Sequence, residues 1–457
     1  MKITYLAAGA AGMYCGACLH DNTLAAALLA QGADVLLVPT YTPIRTDEAD
    51  VSQRRVLFGG INVYLQQLSR VFRYTPRWFD RMLDSPALLN ALAKMNFSID
   101  AAKLGGLTVS MLEGEQGRQR KEVAKLVDWL AREARPDVVH LSNSMLSGMA
   151  REIRRRLDVP VVCSLAGEDI FLEKLSSRHY QRARDVLRER AKDVTAFVSL
   201  NRYFADYMID YLAIDRERVH VIPHGLNLAG HGTRRSSPPG GPFTIGYLAR
   251  ICYDKGLHQL VEAFKLLKDE AGLPPLRLRV AGYLGAGDRT YFAEVLAKVR
   301  EWKLEQDFEY LGELDREQKV AFLQSLDVMS VPTVYRESKG LSILEAMANA
   351  VPVVLPAHGA FPELIEDTGG GLLCEPGNPA SLAQALRQLA LDPSRADELG
   401  RRAKEAVHDR YHAARMAEST LALYQKLLPS GAGQAAAPTN VRERPIGSAA
   451  LPAHDAM

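Results

Sequence analysis

Two glutamates are separated by seven intervening residues in the stretch Glu337-Ser-Lys-Gly-Leu-Ser-Ile-Leu-Glu345, on either side of a glycine turn that opens a helix. Such a turn presents free backbone N–H groups. It also offers the positive end of a helix dipole, which suits a phosphate or a sugar hydroxyl. The carboxylates can accept hydrogen bonds from hydroxyls on either side of that phosphate. Earlier in the chain Arg250 ends an apolar strand, and Lys255 follows five residues later, before a helix. A planar guanidinium fork and a point-charge ammonium at one strand-to-helix junction form a natural clamp for a diphosphate. The implied chemistry is recognition of a nucleotide-activated sugar.

Plainer readings stand beside this one. Ser342 to Glu345 also spells a capping box. Glu337 reads equally as a solvated loop carboxylate, and the two cations as ordinary surface charges. A glycosidase pair, one acid and one nucleophile, is a further alternative. A hydrolase, however, has no use for cations beside its carboxylates, whereas a phosphate leaving group does.

The loop Gly9-Ala-Ala-Gly12-Met-Tyr-Cys15-Gly16-Ala-Cys18 follows a first strand and precedes a helix. Gly12 and Gly16 permit close approach of backbone to a ligand and are read as donor-binding. Cys15 and Cys18 form a CxxC at a helix start, where thiols become acidic in redox proteins. A thioredoxin-like fold would be far smaller. No second CxxC completes a zinc site, and His20 alone is a weak fourth ligand. Further on, Glu168 and Asp169 follow a strand at 161–165. They either contact an acceptor or sugar hydroxyl or cap the next helix.

The elements that must position these residues alternate along the chain. Residues 2–8, 34–38, 138–141, 161–165, 196–200 and 219–222 read as short apolar strands with helical runs between them. After a Gly/Pro/Ser-rich break the alternation restarts with strands at 243–247, 277–281, 308–311, 327–331 and 353–355. It ends with a helix over 341–350 and a last helix from 407. This pattern calls for parallel sheets with helices on both faces and ligands beyond the carboxyl ends of the strands. At 457 residues the chain fits two domains of roughly 200 residues each.

The second half resembles glycosyltransferase family four, retaining enzymes of GT-B architecture. The likeness is strongest over 243–379 and covers most of 1–428. Arg250 and Lys255 match the family's diphosphate-binding cations, and Glu337 and Glu345 match its paired glutamates. The resemblance implies that Arg250, Lys255 and Glu337 are catalytic and that Glu337 touches the transferred sugar. It also implies that Glu345 holds ribose hydroxyls while Gly340, Leu341 and Ser342 supply N–H groups. Ile222-Pro-His-Gly225 looks like the family's turn before the linker, with His224 where Asn is commoner. A histidine that many relatives carry near the sugar is replaced here by Ala166.

The resulting expectation is an α/β chain of GT-B type, two doubly wound Rossmann-like domains facing a central cleft. Residues 1–228 form the acceptor-side domain with a helical insertion at 72–128, and 229–242 the linker. Residues 243–406 form the nucleotide-sugar domain, 407–428 a helix crossing back to the first domain, and 429–457 a disordered tail. The expected activity is a metal-independent, retaining hexosyltransferase. It needs no cofactor, because the nucleotide diphosphate sugar is a co-substrate. The acceptor is a saccharide, lipid or small molecule. A non-catalytic sugar-nucleotide sensor and a GT-B sugar-nucleotide epimerase are the alternatives.

Composition narrows the classes. Apolar residues are 47% and charged residues 24% of the chain, an ordinary globular balance. A net charge of +2 argues against a nucleic-acid binder driven by bulk charge. Five scattered cysteines suit a reducing, cytoplasmic compartment. The uncharged stretch 3–20 reads as strand, glycine loop and helix start rather than as a secretion signal. Basic clusters at 154–156 and 182–192 have two readings, a solvated helix face or a rim meeting anionic lipid head groups.

Overall fold

The computed structural model describes residues 1–9, 16–53, 101–232 and 241–429, with backbone alone at 101–103. Gly12, Cys15, most of the linker and the tail beyond 429 lie outside the described residues. So does the part of the insertion before 101.

Two six-stranded sheets carry the molecule. The first contains β1 (Lys2–Ala7), β2 (Asp34–Pro39), β3 (Val138–Leu141), β4 (Val161–Ser164), β5 (Ala196–Ser199) and β6 (Val219–Val221), in the order β2-β1-β3-β4-β5-β6. The second contains β7 (Phe243–Leu248), β8 (Leu276–Ala281), β9 (Phe308–Tyr310), β10 (Val328–Met329), β11 (Val353–Pro356) and β12 (Gly371–Cys374), in the order β12-β11-β10-β7-β8-β9. All strand pairs are parallel. The physical reason is visible in β3, β4 and β5, whose residues are buried throughout. A strand with no solvent face needs helices on both sides, and right-handed crossovers supply them.

Each order reverses at one place, between β1 and β3 in the first sheet and between β7 and β10 in the second. At such a switch point the loops leaving neighbouring strands diverge, opening a crevice beyond their carboxyl ends. The glycine loop leaves β1. Arg250 follows β7 and Glu337 follows β10.

The halves are joined twice. Leu226 N–H donates to Tyr411 O (2.7 Å) and Ala413 N–H to Leu226 O (2.8 Å), so the two crossings are themselves hydrogen-bonded. The single helix read from 407 is two. Pro393–Arg410 ends at Tyr411, and His412 caps a new helix, Ala413–Leu427, by accepting from Arg415 N–H at 3.2 Å. A polar ring that caps the next turn competes with helix continuation. Met416, Ala417, Leu423 and Tyr424 of that last helix join Tyr5, Leu24 and Leu28 in the core of the first half.

Many arginines of the basic clusters are paired with carboxylates of the same chain. Arg156 pairs with Asp128 (2.8 Å), Arg182 with Glu113 (2.9 Å) and Arg155 with Glu152 (2.6 Å). Arg190, 1% exposed, donates to Leu112 O and Glu115. No helix among the described residues is long and apolar enough to cross a membrane.

Candidate active site

The cleft between the halves holds a cavity of about 630 Å³. Arg250, Lys255, Glu337, Gly340, Leu341, Ser342 and Glu345 all line it, and Gly16 lines it from the first half. Gly16 begins the helix Gly16–Ala30, and a Cβ added to it would lie 4.0 Å from Leu341 Cδ2. The glycine start thus faces the helix bearing Glu345.

Local sequence explains the placements. After β7 a 3₁₀ turn, Tyr253–Lys255, leads to Gly256, which has φ +73° and opens the helix Leu257–Lys268. A side chain on Gly256 would meet Pro332 O at 1.8 Å, so glycine is required both by conformation and by space. Gly340 caps the helix Leu341–Ala348 at φ +67° with no side-chain cap hydrogen bond. The capping-box reading of Ser342 and Glu345 therefore fails, because the cap residue has no side chain and Glu345 turns to another partner. Gly340, Leu341 and Ser342 of this uncapped helix start all line the cavity.

Glu337 is 7% exposed and fully engaged. Its Oε2 accepts from Lys255 Nζ (2.5 Å) and Tyr335 OH (2.7 Å), and its Oε1 from the N–H groups of Ser338 (3.0 Å) and Lys339 (3.1 Å). Burial by itself raises its pKa, but the Lys255 charge and these hydrogen bonds outweigh it and hold the carboxyl at about 2. The solvated-loop reading is thus excluded. Lys255 also contacts Tyr335 OH at 2.5 Å and lies over its ring, 4.9 Å from the centroid. Arg250 donates to Cys252 Sγ through Nε and Nη2, each at 3.4 Å, and remains exposed at the cavity.

Glu345 has a different environment. Its Oε1 accepts from Lys319 Nζ (2.5 Å), which also pairs with Asp47 of the first half (2.5 Å). Burial opposes the charge on Lys319, yet the two carboxylates raise its pKa on balance.

Glu168 and Asp169 begin the short helix Glu168–Leu172, whose Ile170 and Phe171 line the cavity together with Ala166 and Gly167. Glu168 turns inward, accepting from Ser144 N–H (2.7 Å) and Ala166 N–H (2.8 Å). It braces the loop that carries Ala166, and neither carboxylate is part of the described cavity wall. Asp169 Oδ1 is buried without a hydrogen-bond partner among the described residues. Its carboxyl is pushed up to about 6 by burial and then by Glu168 and Glu173.

No histidine is among the described residues lining the cavity. His20 and His224 form a buried Nδ1···Nδ1 contact of 2.7 Å, and burial followed by the Lys339 charge lowers His224 to about 3. His140 sits between Tyr424 OH and Ser164 Oγ and is lowered to about 3 by burial. Cys18 is buried. Among the described residues no cluster of His, Cys, Asp and Glu is arranged to hold a metal ion.

Sequence reasoning missed Asp47, Lys319 and Tyr335. Tyr335 lies two residues before Glu337, and alternation along an extended loop was the available signal. Asp47 and Lys319 sit in ordinary polar runs and carried none. It also missed how Glu363 of the second half accepts from Arg202 N–H (2.9 Å) and Tyr203 N–H (2.8 Å), binding the N-terminus of the helix Arg202–Leu212 across the cleft. Lys174 reaches Asp254 across the same cleft at 2.8 Å.

Two facing parallel sheets, each with its switch point at a shared cleft, define a two-domain GT-B protein. The match to Glycosyl transferases group 1 spans residues 233–406, and that to the Glycosyl transferase 4-like domain spans residues 22–225. The chain belongs to this glycosyltransferase family and is a glycosyltransferase enzyme. It is 27% identical over 373 residues to a D-inositol 3-phosphate glycosyltransferase of Pseudarthrobacter chlorophenolicus, covering 76% of this chain and 85% of the relative. It is 26% identical over 298 residues to a glycogen synthase of Mycobacterium tuberculosis, covering 64% and 69%. Among solved structures, Anabaena HepE in complex with UDP superposes with a TM-score of 0.65 at 17% identity, covering 93% of this chain and all, 100%, of that one. The sucrose-phosphate synthase of Thermosynechococcus elongatus gives 0.67 at 18%, covering 93% and 99%. These likenesses establish the shared fold.

Proposed function

We propose that the enzyme is a retaining glycosyltransferase that moves a hexose from a nucleotide diphosphate sugar to an acceptor hydroxyl without a metal ion. The observation that carries this reading is the joint presence of Arg250, Lys255, Glu337, Glu345 and an uncapped helix start on one cavity wall. UDP in the similar Anabaena HepE structure also supports a nucleotide donor.

Negative charge builds on the departing diphosphate in the transition state. Arg250, Lys255 and the N–H groups of Gly340, Leu341 and Ser342 would stabilise that charge from fixed positions, with no reorganisation cost. Glu337, ionised throughout the neutral range, would face the electron-poor sugar carbon and its hydroxyls. Its link to Lys255 couples the sugar end of the donor to the phosphate end. Glu345 would take the ribose diol. The acceptor hydroxyl would attack from the face that the leaving phosphate vacates, passing its proton to that phosphate. Ala166, Gly167, Ile170 and Phe171 of the first half also line the cavity, and closure of the halves over them would exclude water from the acceptor side.

The sensor alternative has one observation in its favour, an alanine at the position of the family histidine. A thermal-shift screen against UDP-, GDP- and ADP-hexoses tests donor use, because ligand binding raises the melting temperature by mass action. Proton NMR of the product, with EDTA present, then reads the anomeric configuration. An inverted product overturns retention, loss of turnover in EDTA overturns metal independence, and binding without transfer to any acceptor favours the sensor. Conversion of donor alone would mark an epimerase.

A further inference from the structure

Asp47 belongs to the first half, Lys319 and Glu345 to the second, and all three line the cavity. Their side chains are 7%, 9% and 9% exposed, so the ammonium and two carboxylates meet largely out of water. Burying three charges is costly, and such clusters are poor stability devices when apolar packing would serve. A geometric role explains the cost better. Lys319 holds Glu345 Oε1, while Oε2 takes no hydrogen bond among the described residues. One oxygen is anchored and the other is available to a diol.

The contact is also one of a series. Arg45 pairs with Glu313, and Glu48 with Arg316 at 3.0 Å, flanking the Asp47–Lys319 bond on both sides. Arg316 donates as well to Asn227 O (2.9 Å) and Ala229 O (2.8 Å), where the chain crosses between halves. Residues 45–48 are thereby registered against both the second half and the crossing. Electrostatically, the Arg250–Lys255–Glu337 group carries one net positive charge and the Asp47–Lys319–Glu345 group one net negative charge. A ligand with an anionic end and a neutral diol end is oriented by that polarity.

We propose that Lys319 is a positioning residue for Glu345 and that Asp47 makes this positioning depend on apposition of the two halves. The diol-binding part of the donor site is then complete only when the first half is in place. This rests on the donor reading above, with Glu345 as the diol acceptor.

Isothermal calorimetry on the full chain with UDP, GDP, ADP and inorganic pyrophosphate tests it. The best-bound nucleoside diphosphate should bind Asp47→Asn about tenfold more weakly, the size of one lost charge-assisted hydrogen bond. Pyrophosphate affinity should be unchanged. Lys319→Gln should show the same split, and Asp47→Glu should restore part of the affinity. Once Glu345→Gln is present, adding Asp47→Asn should cost nothing more. Arg45→Ala should leave the ratio of the two affinities unaltered. Wild-type nucleotide affinity in both Asp47→Asn and Lys319→Gln overturns the inference and spares the donor reading. Equal weakening of nucleotide and pyrophosphate also overturns it. A wild-type protein that binds none of the nucleotides overturns the donor reading and the inference with it.

Discussion

Glu337 and Glu345 come from one nine-residue stretch, yet the molecule treats them differently. Glu337 is satisfied entirely within the second half, by Lys255, Tyr335 and two backbone N–H groups. Glu345 is tied to Lys319 and, through it, to Asp47 of the other half. One carboxylate has all its partners in its own domain, while the lysine that holds the other is shared with an aspartate of the opposite domain. A bilobal enzyme can in this way keep its charge-stabilising end rigid while making the other end sensitive to closure.

The largest expected effect breaks the rigid end. Lys255→Ala should lower kcat by about 10²-fold or more, as for loss of one preorganised charge stabiliser. Steady-state donor consumption with a working acceptor measures it, and an unchanged kcat refutes the clamp.

Acid unfolding sharpens the same side. Glu337 is held at about 2 against an ordinary 4.5. It should contribute about 3 kcal/mol of stability, fully present above pH 4.5 and lost as pH falls through 2. Denaturant titrations of Glu337→Gln should show a flatter pH dependence over that window. A parent-like slope would mean that the pairing does not hold in solution.

The conditional side should respond in affinity. Glu345→Gln is expected to raise the donor KM about tenfold, one charge-assisted hydrogen bond, with a smaller change in kcat. Equal falls in kcat and kcat/KM would erase the distinction between the two glutamates.

Asp169, on the first half, is a third case, a carboxylate outside the cavity lining whose Oδ1 is buried without a hydrogen-bond partner among the described residues. Its pKa of about 6 against an ordinary 3.8 means that ionisation is disfavoured in the folded state. Stability should therefore fall as pH rises from 4 through 6. Asp169→Asn should be more stable at neutral pH by about 1 kcal/mol after solvent screening, with the difference vanishing below pH 4. Differential scanning calorimetry at pH 4 and pH 7.5 would show it.

The smallest effect is at the exposed flank. Arg45→Ala, removing a pair whose side chains are 38% and 30% exposed, should shift stability by about 0.2–1 kcal/mol. A larger loss would make the cleft ion pairs cooperative rather than individually weak.

The residues that sequence alone could place are those whose role follows from local geometry. Strand–helix alternation produced two parallel sheets. The spacing of Arg250, Lys255, Glu337 and Glu345 around two glycine-opened helices put all four at one cavity, because the loops beyond β7 and β10 diverge at a switch point. Glu168 read as a candidate ligand because nothing nearby in sequence announces that Ser144, from the neighbouring β3 loop, donates to it. His412 was passed over as a mid-helix residue because its capping bond depends on a turn that the domain crossing imposes.

Sequence by itself determined which charges exist and which turn or helix start each one occupies. Only the tertiary structure decided the partners. Lys319 lies 26 positions from Glu345 and a whole domain away from Asp47. Backbone conformation is settled over a few residues, but a Coulomb partner is whichever charge the folded chain brings within a few ångströms.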